Sequence, residues 1–359
     1  MYKYLLPLGV LAVTGAPVVA APQPAALVAQ ASSDQELRDL LKQGRELVQS
    51  GDLTGALAAY ERAATLSQDN PRIFSGIGYV QARQGNYAAS AEAYRRAIAL
   101  DNKNADFYYA LGFALANQED YRGASDAYRR SAQLDPKNIN AHLGLGTVLY
   151  RQGDPAGALQ AYRQVTSLDA KNWQAYESIG SIYLQQDRPQ DALRSFQQAL
   201  AIAPNSGNVH LKLGVTQLLM GNTQAGIASL ERAAELEPRN AEVHLQVGKV
   251  LQAQGQNEAA LNSLRRAVAL QPNLAEAQAA IGEVYINQED YLRAIVAYRR
   301  LLEITPNNPT AYYQLGVALK GRDRPQEAKE AFNRARDLFR QANDAEGLQK
   351  AESALDGLN

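Results

Sequence analysis

Residues 105–138 read ADFYYALGFALANQEDYRGASDAYRRSAQLDPKN, and the next 34 residues follow the same pattern of glycine, alanine and tyrosine. The glycine at the eighth place of this stretch occurs nine times at intervals of 34 residues: Gly44, Gly78, Gly112, Gly146, Gly180, Gly214, Gly248, Gly282 and Gly316. A fixed period of this length is typical of a helix pair that stacks on its neighbours, so it outranks other signals for the fold. Counted from Leu37, nine units extend to residue 342.

Two helical stretches alternate with two kinds of turn signal inside each unit. In residues 71–104, the first stretch ends before Gly85 and Asn86, and the second continues to about Leu100. Glycine just after a helix and asparagine just before one are strong end and start signals. Proline ends the second stretch of five units, at Pro136, Pro204, Pro238, Pro272 and Pro306. The sequence therefore predicts an all-α chain of helix pairs.

Alanine and aromatic residues recur at two further places of the unit. The twentieth place is Ala56, Ala124, Ala158, Ala192, Ala260, Ala294 and Ala328, and the twenty-fourth is Tyr60, Tyr94, Tyr128, Tyr162, Phe196, Tyr298 and Phe332. Together with the glycines, these residues resemble the tetratricopeptide repeat family over residues 37–342. The resemblance implies a right-handed superhelical α-solenoid of nine helix-turn-helix repeats. The departures from the pattern at these places include Ser90, Gly226, Leu230 and Leu264.

The first 33 residues differ in composition from the repeats. A single lysine is the only charge before Asp34, and the stretch up to Ala20 is apolar with many small residues. This composition is typical of an export signal, so residues 1–20 are predicted to be a signal peptide and residues 21–36 a linker. Cleavage after Ala31 and an uncleaved membrane anchor are the alternatives. Export places the chain in a periplasm or a thylakoid lumen.

Composition argues against several classes of function. The chain has no cysteine, which excludes thiolate chemistry. Its 36 basic residues nearly balance its 37 acidic residues, which disfavours nucleic acid as a main partner. Residues 343–359 are expected to form only a capping helix, so no room remains for a catalytic domain. His142, His210 and His244 share one place in three repeats, which predicts packing instead of metal binding. We therefore expect no enzyme, cofactor or metal site.

Arginine pairs in four repeats raise the alternative of an RNA or membrane surface: Arg95-Arg96, Arg129-Arg130, Arg265-Arg266 and Arg299-Arg300. Their spacing puts them on the outer side of the second helix. Glu92 lies four residues before Arg96, and Asp126 lies four before Arg130. Ion pairs at this spacing predict a solvated outer face.

In the resembled family, the fifth, ninth and twelfth places of the first helix face a concave groove. Aromatic residues at these places in the second to fourth repeats are expected to form one patch: Tyr79, Tyr109, Phe113 and Tyr150. The other expected groove residues are Leu143, Leu211, Val215, Leu218, Leu245, Lys249 and Tyr313. Glu177 and Ser181 interrupt this apolar strip. Grouped exposed aromatics are typical of an interface.

These features predict an exported, non-catalytic scaffold that binds a protein or peptide ligand in its concave groove. The scaffold is expected to serve a cell-envelope, secretion or photosynthetic-membrane complex. The family's two-carboxylate clamp needs lysine at the fifth place followed by asparagine at the ninth, and no repeat has that pair. A glycan-binding component of polysaccharide export is the alternative, because sugar rings would stack on the same aromatics. The sequence leaves the partner and the oligomeric state open.

Overall fold

The computed structural model describes the backbone of residues 24–358, with side chains from Ser32 onward. All regular secondary structure in this range is helical, so the prediction of an all-α chain of helix pairs is confirmed. The signal peptide expected over residues 1–20 lies outside the described residues and stays a prediction. In the described part of the chain, no helix is both long and apolar enough to cross a membrane.

The helices form two compact units that divide after Asp154. The first contains α1 (Pro24–Ser50), α2 (Leu53–Leu66), α3 (Pro71–Arg83), α4 (Tyr87–Leu100), α5 (Ala105–Asn117), α6 (Tyr121–Leu134) and α7 (Ile139–Arg151). The second contains α8 (Pro155–Leu168), α9 (Trp173–Gln185), α10 (Pro189–Ile202), α11 (Gly207–Leu219), α12 (Thr223–Leu236), α13 (Ala241–Ala253), α14 (Asn257–Leu270), α15 (Ala275–Asn287), α16 (Tyr291–Ile304), α17 (Pro309–Gly321), α18 (Pro325–Gln341) and α19 (Ala345–Asp356). Within each unit every helix packs on the next, and several odd-numbered helices also contact each other.

Helix α1 is longer than the other helices because it begins before the repeats do. Residues 24–36, expected to be most of a linker, are helical and continuous with the first helix of the repeats. After Pro24 the sequence has neither proline nor glycine until Gly44, and alanine, leucine, glutamine and glutamate favour a helix. The stretch expected to be a linker is therefore helical from Pro24 onward. At the other end, α19 packs on α18.

The turn between the two helices of a repeat puts its fifteenth place in the left-handed backbone region. Glycine takes this place in five repeats, with φ between 71° and 86°. Four other repeats have Glu119, Asp187, Glu289 and Asp323 there, with φ between 55° and 62°. Because only glycine adopts this conformation without steric cost, the acidic residues carry a small local strain.

The eighth-place glycines lie where the two helices of a repeat pack most closely. A Cβ built on Gly180 would lie 2.6 Å from Cε1 of Phe196, the ring at the twenty-fourth place. In the sixth repeat Leu230 replaces the ring, and a Cβ on Gly214 would also lie 2.9 Å from the carbonyl oxygen of Gly226. Where the side chain at the twenty-fourth place is shorter, the backbones of the two helices of the repeat thus approach each other more closely.

Two rings of the first unit pack against glycines from two repeats. A Cβ on Gly44 would lie 2.7 Å from Cζ of Tyr60, and a Cβ on Gly76, in the next repeat, would lie 2.7 Å from Cε1 of the same ring. Tyr128 is held in the same way by glycines of the third and fourth repeats. Each ring therefore belongs to the core of two consecutive repeats.

Candidate functional site

A groove of about 650 Å³ runs along α1, α3 and α5 in the first unit. Its walls come mainly from the second, fifth, ninth and twelfth places of the first helix in repeats one to three. These places share a helix face because residues three or four apart lie above one another. The side chains that give the groove its chemistry are Leu41, Arg45, Val48, Arg72, Tyr79, Asp106 and Tyr109.

Tyr79 presents the most exposed ring in the groove. Its side chain is 45% exposed, and Nη1 of Arg83 donates a hydrogen bond of 3.1 Å to its hydroxyl oxygen. The Arg83 guanidinium also lies 5.9 Å from the ring centroid. Burial raises the pKa of the adjacent Tyr94, and Tyr79 adds to that rise. The groove thus holds an oriented, accessible ring beside a neutral buried phenol.

Tyr109 supplies a second, half-buried ring on α5. Its centroid lies 5.8 Å from that of Tyr128, with the ring planes tilted by 48°. Burial raises the pKa of Tyr128, and the proximity of Tyr109 raises it further. Since Tyr128 belongs to the repeat core, Tyr109 is anchored on one side and free on the groove side.

The four-residue aromatic patch expected from the sequence is divided in the structure. Tyr79 and Tyr109 line the groove, whereas Phe113 and Tyr150 do not. Phe113 is 42% exposed and meets Tyr87 edge-on, with centroids 6.2 Å apart. The i and i+4 spacing of Tyr109 and Phe113 places both on one face, but their rings reach toward different neighbouring helices. Tyr150 is exposed near the end of α7.

The charged residues of the groove are two arginines and one aspartate. Arg45 on α1 and Arg72 on α3 form no ion pair or side-chain hydrogen bond with any residue of the described chain. Glu46, next to Arg45, pairs instead with Lys42. Burial raises the pKa of Tyr60, and the positive charge of Arg45 opposes that rise, which places the guanidinium near this hydroxyl. Asp106 offsets only one of the two arginine charges, so the groove keeps an excess of positive charge.

The expected apolar groove residues of the second unit are half-buried on α11: Leu211, Val215 and Leu218. Leu218 fills the space that a side chain at position 226 would need. A Cβ built on Gly226 would lie 2.6 Å from Cγ of Leu218. The glycine at the twentieth place, where other repeats have alanine, therefore lets Leu218 sink into the repeat. Leu143, on α7 of the first unit, is also half-buried.

Leu245 is not a groove residue, and the expectation that it lines the groove is wrong. Its side chain is only 1% exposed and belongs to the hydrophobic core of the second unit. Leu264 stands at the aromatic place of this repeat and belongs to the same core.

A polar network crosses the inner face of α9 and α11. Nζ of Lys212 donates to Oε1 of Glu177 at 2.6 Å and to Oγ of Ser181 at 3.0 Å. Nδ2 of Asn208 donates to the same Glu177 oxygen at 2.6 Å. The Glu177 side chain is only 15% exposed. The polar interruption expected at Glu177 and Ser181 therefore has its partners within the protein.

The last two expected groove residues have partners of their own. Lys249 lines a cleft of about 580 Å³ between α13 and α15, and its Nζ lies 3.4 Å from Oε2 of Glu276. Glu283 lines the same cleft and accepts a hydrogen bond from Gln252. Tyr313 is half-buried with its ring centroid 5.6 Å from that of Phe332, much as Tyr109 meets its core tyrosine.

Models of the tetratricopeptide repeat match residues 41–105, 77–139, 109–170 and 143–207, then residues 183–245 and 309–340, and a TPR repeat model matches residues 248–289 and 282–321. The chain belongs to the tetratricopeptide repeat (TPR) family. A TPR repeat-containing protein of Picosynechococcus sp. is 47% identical over 47 residues, which are 13% of this chain and 12% of that relative. The chain therefore matches only a small part of that relative's length.

Solved TPR structures share the fold at low sequence identity. A tetratricopeptide repeat protein from Parabacteroides merdae has a TM-score of 0.55 and 17% identity, over 70% of this chain and 99% of that one. The APC/C hetero-tetramer Cut9-Hcn1 has a TM-score of 0.52 and 20% identity, over 74% and 52%. PilF of Pseudomonas aeruginosa has a TM-score of 0.52 and 16% identity, over 62% and 99%. As a TPR protein, the chain is a protein-interaction scaffold.

The three histidines of this TPR chain bind the backbone of the preceding turn. The ring Nε2 of His142, His210 and His244 lies 3.1, 2.9 and 3.3 Å from a proline carbonyl oxygen at the end of the preceding repeat. This agrees with the packing role expected for them. Among the residues that the structure describes, no cluster of three or more histidine, aspartate or glutamate side chains is arranged to hold a metal ion.

The outer TPR arginines are arranged differently from the expected ion pairs. Glu92 pairs with Arg95, three residues away, and Asp126 pairs with Arg129 at 3.1 Å. Arg96 instead lies over the ring of Phe74, 4.1 Å from its centroid. The expectation of a pair between Glu92 and Arg96 is therefore wrong, because the second arginine of the pair stacks on the fourth-place aromatic of its own TPR unit.

Sequence reasoning missed several groove residues of the first TPR units. Leu41, Arg45 and Val48 stand at the fifth, ninth and twelfth places of the first repeat, so the rule that found Tyr109 also applied to them. Arg72 and Asp106 stand at the second place, which that rule omitted. The second place lies seven residues, or about two turns, before the ninth on the same face, so helix geometry contained the signal.

Proposed function

We propose that this TPR chain is an exported, non-catalytic scaffold that holds a partner polypeptide in the groove of α1, α3 and α5. The observation that carries the proposal is the exposed ring of Tyr79 beside half-buried Tyr109, Leu41 and Val48 in a cleft of about 650 Å³. Accessible aromatic and aliphatic side chains that converge in one cleft favour binding of apolar anchors. The scaffold would serve assembly of a cell-envelope, secretion or photosynthetic-membrane complex.

The composition of residues 1–20, the predicted signal peptide, supports export. Residues 1–20 combine one lysine near the start with a long apolar stretch that ends in small residues. Mass spectrometry of the N-terminus of the protein from its native host tests this part. A start at residue 21 in a periplasmic or lumenal fraction is expected. An intact Met1 in the cytosol would contradict export, and an intact Met1 in membranes would mean that the segment is an anchor.

The chemistry of the groove supports a non-catalytic role. Among the described residues that line it, the ionisable side chains are tyrosines, arginines and one aspartate, with no histidine or lysine. The hydroxyl of Ser75, which also lines the groove, donates to the backbone carbonyl of Arg72 at 3.1 Å. A hydroxyl whose hydrogen is held by a backbone carbonyl is not activated by a base and is a poor nucleophile.

The partner is to be identified by co-purification of the exported form, followed by affinity measurements on variants. Changing Tyr79→Ala together with Tyr109→Ala should lower affinity by about 2 kcal/mol or more for each central anchor. Phe113→Ala is the matched control, because it removes an exposed ring outside the groove. Equal losses for both proteins would rule out this groove, and binding of an oligosaccharide instead of a polypeptide would favour the glycan alternative.

A further inference from the structure

The groove of the first unit contains two arginines that have no ion-pair partner among the described residues. Among residues 32–358, neither Arg45 nor Arg72 has an ion-pair partner or a side-chain hydrogen bond. Many other arginines of the same unit do have partners, for example Arg62 with Glu36 and Arg95 with Glu92. Both arginines line one cleft from neighbouring first helices, α1 and α3.

The cleft between α13 and α15 shows what a compensated groove looks like. There Lys249 faces Glu276 at 3.4 Å, and Glu283 adds a second carboxylate. In the groove of α1, α3 and α5 the only acidic side chain is Asp106, which forms no ion pair with either arginine in the described structure. Unpaired guanidinium groups in a cleft attract carboxylates and bind them through two parallel hydrogen bonds.

We propose that the groove of α1, α3 and α5 binds an extended internal segment of a partner in which an acidic side chain lies about three residues from an apolar one. The carboxylate would bind Arg45 and Arg72, and the apolar side chain would pack between Tyr79 and Tyr109. This inference rests on the proposed function and narrows the chemistry of its ligand.

The spacing follows from the helices that carry each group. The arginines lie on α1 and α3, and the two tyrosines lie on α3 and α5, so the carboxylate and apolar positions are one helix apart. Packed helices are separated by roughly 8–10 Å, and an extended chain advances about 3.3 Å per residue. An internal segment is favoured over a chain terminus because the groove is lined continuously across α1, α3 and α5, which suits a chain that passes through.

The ligand chemistry is tested by selecting random peptides displayed on phage, with each peptide fused at its C-terminal end so that no free carboxylate terminus is available. The full chain is the target. We expect enrichment of aspartate or glutamate about three residues from an aromatic or aliphatic residue. Enrichment of basic or uncharged peptides, or no enrichment, would overturn the inference.

The location is tested with one enriched peptide, synthesised with an amidated C-terminus and measured by fluorescence polarisation. Arg45→Gln with Arg72→Gln should weaken binding about tenfold or more, since two charge-assisted hydrogen-bonding groups are lost. Arg95→Gln with Arg129→Gln removes the same charge from the outer face and should change affinity less than about twofold. Replacing the peptide's acidic residue by its amide should cause a similar loss in the unchanged protein and little further loss in the Arg45/Arg72 variant.

Three results separate the inference from the proposed function. If Tyr79→Ala with Tyr109→Ala abolishes binding while the Arg45/Arg72 variant binds normally, the groove is a binding site but its ligand is not acidic. If neither variant changes binding, the groove itself is wrong. Equal losses of affinity in the Arg45/Arg72 and Arg95/Arg129 variants would mean that the effect is a general electrostatic attraction and not binding in the groove.

Discussion

The inner groove of α1, α3 and α5 and the inner face of α9 and α11 occupy equivalent places of the repeat but have opposite chemistry. In the groove, Arg45, Arg72 and Tyr79 face solvent without ion-pair partners in the described structure. On α9 and α11, the largely buried Glu177 carboxylate accepts hydrogen bonds from both Lys212 and Asn208. The position of a residue in the repeat therefore determines only the direction in which its side chain points. Whether that side chain recognises a partner depends on whether the neighbouring repeat already satisfies it.

Both inner surfaces depend on the close crossing beneath them, so the largest expected effect comes from filling that crossing. Gly180→Leu, under the α9 network, should lower the free energy of unfolding by up to about 3 kcal/mol, because the ring of Phe196 leaves no room for a side chain. Thermal and urea unfolding measure the change. Gln174→Leu, at an exposed position of the same helix, should have little effect. An unchanged melting curve for Gly180→Leu would mean that the crossing is loose.

The internal pairing on α9 and α11 can be broken directly. Lys212→Met leaves the Glu177 carboxylate with one fewer donor at a site that is only 15% exposed, and should cost about 1 to 3 kcal/mol. Adding Glu177→Gln should recover much of that loss, because a neutral amide tolerates burial better than an unpaired carboxylate. A double-mutant cycle from urea unfolding gives the coupling. No coupling between the two changes would contradict the network.

A consensus change on α12 tests why Leu218 is withdrawn from the inner face. Gly226→Ala restores the alanine found in most repeats, and helix propensity alone predicts a gain of about 0.5 to 1 kcal/mol. The structure predicts a net loss of about 1 kcal/mol, because the new Cβ would lie 2.6 Å from Cγ of Leu218. Combining the change with Leu218→Ala should remove the clash with that side chain and recover part of the loss, leaving the tight 3.0 Å approach of the new Cβ to the carbonyl oxygen of Gly214. A more stable single variant would show that Leu218 moves aside without cost.

The smallest expected effect concerns the turns that separate the helices of a repeat. Glu289→Gly should stabilise the chain by about 0.5 kcal/mol, because relief of the left-handed strain slightly exceeds the entropic cost of glycine. Gly255→Glu is the reverse substitution at the equivalent place, where nothing lies within 4 Å of an added Cβ. It should lower stability by a similar amount. Equal and opposite shifts in melting temperature are the expected result.

The fold could be predicted from the sequence because its determinants are local and periodic. Each eighth-place glycine marks a helix crossing, and each turn signal marks a helix end, so the register alone predicted the helix pairs. The start of α1 was missed because a stretch rich in small residues was attributed to a linker, although nothing in it breaks a helix after Pro24.

The site could be predicted only in part because direction and burial follow different rules. Helix geometry predicted a shared face for Tyr79 and Tyr109, and both residues line the same groove, since the face depends only on position. The burial of Leu245 depends on the core packing of the second unit, and the division of the aromatic patch depends on which neighbour Phe113 reaches. These are contacts between separate helices, which a single sequence does not specify.

The rings that pack between glycines of two repeats bear on how the first unit responds to mechanical load. Tyr60 packs against Gly44 of its own repeat and Gly76 of the next, so pulling the first two repeats apart has to withdraw its ring from the backbone of the second. Force applied along the chain by a tethered partner would therefore meet its resistance at the boundaries between repeats. Extension would proceed in discrete steps of about one repeat, and Tyr60→Leu would lower the force needed for the first of them.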